Sequence, residues 1–193
     1  MEFTQRISVF LVSLLTFIFS PYSFAEEKTT KPEANKAAEA TTPTLSLKEK
    51  NLKDSETFLA ENKTKSDIIT LPSGLQYKVV KEGSGEPPNP SDFVTVNYRG
   101  TLIDGTEFDS SYKRGTPSTF AINAIIPGWS EALQLMKPGA KWMLYIPPHL
   151  AYGERGAGRL VGPNAMLIFE VELLHAKPAE ESEENLSNEG EEG

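Results

Sequence analysis

The chain has 193 residues, no cysteine and a formal net charge of −8. With no thiol it forms no disulfide and carries no lipid on a cysteine, so its stability must come from packing. Residues 71–177 hold ten basic and ten acidic side chains; a balanced domain without a basic stripe and interleaved aromatics is not expected to bind nucleic acid.

The N-terminal segment reads as an address rather than as part of the fold. Met1 to Arg6 ends in a positive charge, Ile7 to Phe19 is an almost unbroken apolar run of 13 residues, and Ser23-Phe24-Ala25 puts small residues where a signal peptidase reads. Cleavage after Ala25 is expected, so that 1–25 is a signal peptide. The run is shorter than the roughly 20 residues a membrane helix needs, and no later segment comes closer, so no membrane span is expected after cleavage. Residues 26–44 are rich in Lys, Glu, Ala, Thr and Pro without a large apolar side chain, which predicts a flexible linker.

A helical segment is expected over 45–70. Ser46 followed by Glu49 is a capping-box signature, and Leu45, Leu52 and Leu59 recur every seven residues with Phe58 beside them. The spacing predicts a helix from Leu47 to Lys63. Two heptads are too few for a coiled coil, which leaves open whether the helix packs on its own domain, stays free, or joins two copies weakly through Leu45, Leu52, Phe58 and Leu59.

From Leu71 the period changes to two. Gly74 to Val80 and Phe93 to Arg99 alternate apolar and polar residues, with a Gly/Pro/Ser-rich loop between them. Asp104-Gly105 predicts a two-residue hairpin turn. Further strands are expected at Thr119 to Ile122, Lys141 to Ile146 and Met166 to Leu174. One short helix is read at Trp129 to Met136, with Pro138-Gly139 as its stop. The fold class is α+β: a five- or six-stranded antiparallel sheet wrapped around one short helix, over 71–177. Residues 178–193 contain seven Glu and no Lys or Arg, the composition of an acidic disordered tail.

No cysteine nucleophile, Gly-x-Ser-x-Gly elbow, His-Glu-x-x-His pair or phosphate-binding Gly-x-x-x-x-Gly-Lys is present, and His149 and His175 lie far apart in sequence. Covalent and zinc-dependent hydrolysis are therefore poorly supported. What remains is a concentration of rings and aliphatics with a few polar ends: Tyr98, Phe108-Asp109, Ile125-Ile126-Pro127-Gly128-Trp129, Ala151-Tyr152-Gly153 and Phe169. Core packing explains any one of them; together they place polar groups where loops meet strands, the usual position of binding residues.

Five runs in order, Val96-Asn97-Tyr98-Arg99-Gly100, Asp104 to Ser111, Ile126 to Leu133, Ile146-Pro147-Pro148 with Ala151-Tyr152-Gly153, and Leu167 to Leu174, resemble an FKBP-type peptidyl-prolyl cis-trans isomerase domain. The charged helix ending Phe58-Leu59-Ala60-Glu61-Asn62 and the entry Leu71 to Tyr77 resemble its secreted bacterial Mip-like (macrophage infectivity potentiator) branch.

That resemblance implies an enzyme that rotates Xaa-Pro bonds without a covalent intermediate, cofactor or metal. It implies Trp129 as the floor of the proline pocket, Tyr98, Phe108, Ile125, Ile126 and Phe169 as its walls, Tyr152 and Asp109 as the catalytic pair, and Arg114 as the group tying Tyr98 to Asp109. Xaa-Pro polypeptides would be substrates and the family's macrolides inhibitors. With the signal peptide, it implies a periplasmic, outer-membrane-associated or secreted protein. The segment Gly115 to Ile122 is shorter than in small members, so the aromatic they carry there has no clear counterpart, Ser118 being nearest. Ala157 stands where a histidine is frequent, flanked by Arg155 and Arg159. A monomer or weak dimer is expected, and a proline-binding chaperone that does not depend on turnover is the alternative.

Overall fold

The computed structural model describes residues 45–179. The expected signal peptide, the linker and all but the first two residues of the acidic tail lie outside them.

Helix α1 (Leu47–Asn62) starts where the capping box places it: the Ser46 side chain accepts from the Glu49 amide and the Glu49 carboxylate accepts from the Ser46 backbone. Two orphan amide donors are thereby satisfied. Its two buried residues are Ser55 and Asn62, both polar. The heptad leucines are not buried in the seat of the helix: Leu45 is 48% and Leu52 41% exposed, and Leu59 is half-buried. Instead Phe58 leans on Tyr145 at 5.8 Å between ring centroids, and the Gln76 amide donates to Leu59 O at 2.9 Å. The helix thus packs on its own domain.

Seven antiparallel strands form one sheet: β1 (Ile69–Thr70), β2 (Gln76–Lys81), β3 (Phe93–Thr101), β4 (Glu107–Ser110), β5 (Ser118–Ala121), β6 (Lys141–Ile146) and β7 (Leu167–Lys177), in the order β1-β2-β6-β7-β3-β4 with β5 also on β3. The strand beyond the expected six is the two-residue β1, too short to show a period. Alternation along β6 and β7 turns Trp142, Leu144, Ile146, Leu167, Phe169, Val171 and Leu173 into the core, as a half-buried sheet requires. Against this face lies α3 (Pro127–Leu133), whose Gly128, Trp129, Ala132 and Leu133 are buried. It begins two residues before the expected Trp129, because Pro127 at the first helical position has its φ preset and needs no amide donor. At Gly128 a Cβ would come within 2.5 Å of Ile146 Cγ2, so helix and sheet meet through a missing side chain.

The outer edge of β3 is shared. Phe93 to Val96 pair with β5, Arg99 to Thr101 pair with β4, and Asn97-Tyr98 pair with neither. A one-turn helix, α2 (Ser111–Arg114), spans the gap, and the buried Ser111 hydroxyl accepts from the Tyr98 amide at 2.8 Å. The β3–β4 turn is one residue longer than the two-residue Asp104-Gly105 hairpin read from sequence. Gly105 donates to Leu102 O at 3.0 Å with φ +84°, so Ile103 and Asp104 form the corner and Gly105 takes the left-handed position of a three-residue loop.

Candidate active site

Trp129, only 4% exposed, is carried by the first turn of α3 and is met by three aromatic edges. Tyr98 stands at 5.1 Å and 89°, Phe169 at 5.1 Å and 80°, Phe120 at 5.8 Å and 88° between centroids and ring planes. Phe108 closes on Phe169 at 5.4 Å, again nearly perpendicular. Edge-to-face contact puts the positive rim of one ring on the negative face of another, worth about 0.5–1.5 kcal/mol a pair beyond burial. Strands β3, β5 and β7 each deliver one wall, and at Gly100 a Cβ would lie 2.6 Å from Phe169 and 2.7 Å from Phe108, so those two rings close over bare backbone. Ile125 and Ile126 pack at the rim of this cluster. The Trp129 indole nitrogen is buried without a hydrogen-bond partner among the described residues.

Polar groups line one side only. In the β3–β4 ladder Gly100 faces Asp109 and Thr101 faces Glu107, which leaves Phe108 as the extra residue of a bulge. Consecutive strand residues ordinarily point to opposite faces; a bulge relaxes that rule. Phe108 can thus reach Phe169 while Asp109 reaches Tyr98. The Tyr98 hydroxyl donates to Asp109 Oδ2 at 2.5 Å, the Ser110 amide donates to Oδ1 at 2.8 Å, and the Arg114 guanidinium pairs with the same carboxylate. Arg114 also donates to the Tyr98 hydroxyl at 2.7 Å and to Ser118 Oγ at 3.0 Å, and lies over the Tyr98 ring at 5.3 Å.

Partial burial pushes the Asp109 carboxyl up, but the Tyr98 hydroxyl, Arg114 and the Ser110 amide together outweigh it and hold the group below its ordinary value. Tyr98 moves the other way, raised first by burial and then by its bond to Asp109 against the opposing pull of Arg114. An anion held by three donors and a neutral phenol result. With its oxygens already holding three donors, Asp109 is a fixed negative charge rather than a free base.

Tyr152 is 41% exposed, just before a short 3-10 turn over Gly153–Arg155. Its hydroxyl makes no hydrogen bond among the described residues and is free to receive a ligand. The histidines are elsewhere: His149 Nε2 lies 2.9 Å from Ser73 O, and His175 is exposed on β7. Among the described residues no group of acidic, His or Cys side chains could hold a metal ion.

Of the residues read from sequence as pocket candidates, Tyr98, Phe108, Trp129 and Phe169 meet in one ring cluster and Asp109 and Arg114 join it through Tyr98. Phe120 was missed as a wall. Ser118 had been named as the nearest counterpart of the absent aromatic, yet the ring against Trp129 comes from two positions further along β5, on the same face; the period of two in Ser118-Thr119-Phe120 was the available signal. Ser118 binds the Arg114 guanidinium instead. Two grooves flank α1, of about 340 and 450 Å³, the first lined by Leu47, Leu102 and Leu160, the second by Leu52, Leu59 and Pro147. Their linings mix these with polar side chains, Lys50, Asn51, Asp54 and Asp104 in the first and Glu56, Lys63, Gln76 and His149 in the second, and neither includes a ring of the Trp129 cluster.

The cluster is an apolar ring assembly with one fixed charge at its edge. Residues 84–174 match the FKBP-type peptidyl-prolyl cis-trans isomerase family, and residues 22–79 match the domain amino-terminal to such isomerases. The chain is 56% identical over 127 residues to peptidyl-prolyl cis-trans isomerase Mip of Coxiella burnetii, covering 66% of this chain and 55% of that protein. It is 52% identical over 131 residues to outer membrane protein MIP of Legionella longbeachae, covering 68% and 56%. It thus spans little more than half the length of these relatives. The crystal structure of a peptidyl-prolyl cis-trans isomerase from Pseudomonas syringae pv. tomato superposes with a TM-score of 0.64 at 40% identity, over 69% of this chain and 98% of that one. The chain belongs to the FKBP-type peptidyl-prolyl cis-trans isomerase family.

Proposed function

We propose that this protein catalyses cis–trans rotation about Xaa-Pro bonds in the aromatic cluster around Trp129. The observation that carries the reading is the ring cluster on Trp129 with a carboxylate, held by three donors, bonded to one of its rings.

An Xaa-Pro bond turns over a barrier of about 18–20 kcal/mol set by amide resonance. Resonance places negative charge on oxygen and positive charge on nitrogen, and the twisted transition state loses it. A pocket that seats the proline ring on Trp129 between Tyr98, Phe120 and Phe169 holds the nitrogen side still while the carbonyl side turns. Binding the twisted form better than either planar isomer lowers the barrier, and an acceleration of order 10⁵ corresponds to about 7 kcal/mol of such differential binding. Asp109 then acts through its charge on the rotating group, Arg114 and Tyr98 keep its direction, and Tyr152 fixes a peptide carbonyl. No proton transfer, cofactor or metal enters.

The same reading makes 71–177 the isomerase domain and 1–25 a cleaved signal peptide, with the protein acting in the envelope or outside the cell on extracytoplasmic polypeptides; one relative bears an outer-membrane name. Macrolide ligands of the family would occupy the floor in place of proline. With Phe58 turned onto Tyr145, Leu45 and Leu52 are left as the exposed part of the heptad face, enough for a monomer or a weak dimer.

A protease-coupled assay on a short Xaa-Pro peptide tests the activity. Turnover inhibited by a family macrolide supports the reading; macrolide binding without turnover would leave a proline-binding module and refute the enzyme.

A further inference from the structure

Helix α1 touches none of the pocket rings, yet its polar contacts converge on the segment that links Tyr152 to Phe169. The Ser55 hydroxyl, 1% exposed, donates to Asn164 O at 3.1 Å and accepts from the Met166 amide at 3.1 Å. Four residues earlier, Asn51 Nδ2 donates to Pro163 O at 2.8 Å, and at the helix start Lys48 pairs with Glu154 at 2.8 Å. The segment between is closed on itself, because the Asn164 amide donates to Gly153 O at 2.8 Å.

A serine inside a helix ordinarily turns its hydroxyl back to the carbonyl four residues earlier or out to water. Ser55 instead bridges two backbone groups of another segment. One of the two belongs to Asn164, the one non-glycine residue with positive φ among the described residues, at +55°. A left-handed backbone costs energy and persists where surrounding contacts over-determine it; here the carbonyl of Asn164 is held by Ser55 and its amide by Gly153, next to Tyr152. Toward the other end, Met166 is fully buried and precedes β7, which brings Phe169 three residues on.

We propose that Ser55, supported by Asn51, is a positioning residue for isomerisation: through Asn164 it sets the loop that carries Tyr152, which makes α1 a working part of the catalytic domain. This rests on the isomerase reading above.

The full chain and its Ser55→Ala variant are compared for kcat/KM on a short Xaa-Pro peptide, alone and in a Tyr152→Ala background, together with hydrogen exchange at the Met166 amide. Ser55→Ala is expected to lower kcat/KM about three- to tenfold, since a small misplacement of an orienting group has effects of that size or more. Exchange at Met166 should quicken. If Ser55 works through Tyr152, the same substitution in the Tyr152→Ala background lowers turnover by less than about 1.5-fold, the non-additivity expected of coupled residues. Asn51→Ala, which leaves the serine in place, should act in the same direction with a smaller loss, and carries the test should Ser55→Ala not fold. Undiminished turnover in the single variants, or an equal loss in both backgrounds, overturns the inference while the isomerase reading stands. A wild-type chain that turns over no Xaa-Pro peptide overturns both.

Discussion

The aromatic cluster and the seat of α1 are built from opposite materials. Tyr98, Phe120 and Phe169 meet Trp129 edge to face and Phe108 meets Phe169 the same way, five rings held from four strands and a helix. Beneath α1 the buried residues are a serine and an asparagine, and the Asn62 amide donates to Gln76 Oε1 at 3.0 Å. Area and shape hold the first; hydrogen-bond direction holds the second. Apolar packing tolerates no void but little depends on any single angle, whereas a buried polar contact is worth little net and costs much when one partner is removed. Substitutions in the two regions should therefore fail differently, the first through stability and binding together, the second through local order.

Trp129→Ala should show the largest effect. It removes the floor and the partner of three rings, and truncating a buried aromatic costs about 3–5 kcal/mol. A denaturant melt is expected to show that loss alongside absent macrolide binding. A melt within about 1 kcal/mol of wild type would mean the rings do not depend on their hub.

Asp109→Leu and Tyr152→Ala should separate activity from stability. Both groups stand at the mouth, side chains partly exposed, and each is expected to lower kcat/KM at least tenfold, about 1.4 kcal/mol of transition-state binding, with the fold intact by circular dichroism. Wild-type turnover in both would remove the polar side from the mechanism.

Asn62→Ala probes the other material. It leaves Gln76 Oε1 without this donor in a buried setting, which should cost about 1–3 kcal/mol, while turnover stays within about twofold because neither residue adjoins the Tyr152 loop. A tenfold loss of turnover at unchanged stability would show that all of α1, not its Ser55 segment, reaches the site.

The same contrast decided what could be read from the sequence. Trp129, Tyr98, Phe108 and Phe169 stand in recognisable runs, and the capping box located α1 to within a residue of each end. Phe120 is hidden by the shortness of Gly115 to Ile122, which leaves no position that matches the family's aromatic, whereas the period of β5 puts Phe120 on the face of Ser118. The Phe108 bulge was not legible either: Glu107-Phe108-Asp109 looks like any alternating strand, and only the pairing of β3 with two partners shows which residue is extra. The seat of α1 was hidden for a different reason. Hydrophobic period identifies apolar faces, and it pointed to Leu45, Leu52 and Leu59; a serine and two amides that dock a helix carry no period at all.

The smallest expected effect is that of pH. Asp109 is held below its ordinary value, so what its ionised form contributes is fully present above about pH 4 and is lost only as pH falls through the depressed folded value. Tyr98 is raised, so the contribution of its protonated form is present below about pH 10 and is lost as pH rises through the higher folded value. Neither histidine lies in the cluster: His149 meets Ser73 and His175 is exposed on β7. Between these limits no group in the ring of contacts changes charge, and a mechanism based on rotation moves no proton. For a short uncharged proline peptide, kcat/KM should vary by less than about twofold from pH 5.5 to pH 8.5, once the protease-coupled assay is replaced by one that does not itself depend on pH. A bell-shaped profile centred near neutrality would reveal a proton donor or acceptor in the rate-limiting step, and would overturn the assignment of Asp109 as a fixed charge even if every substitution above behaved as expected.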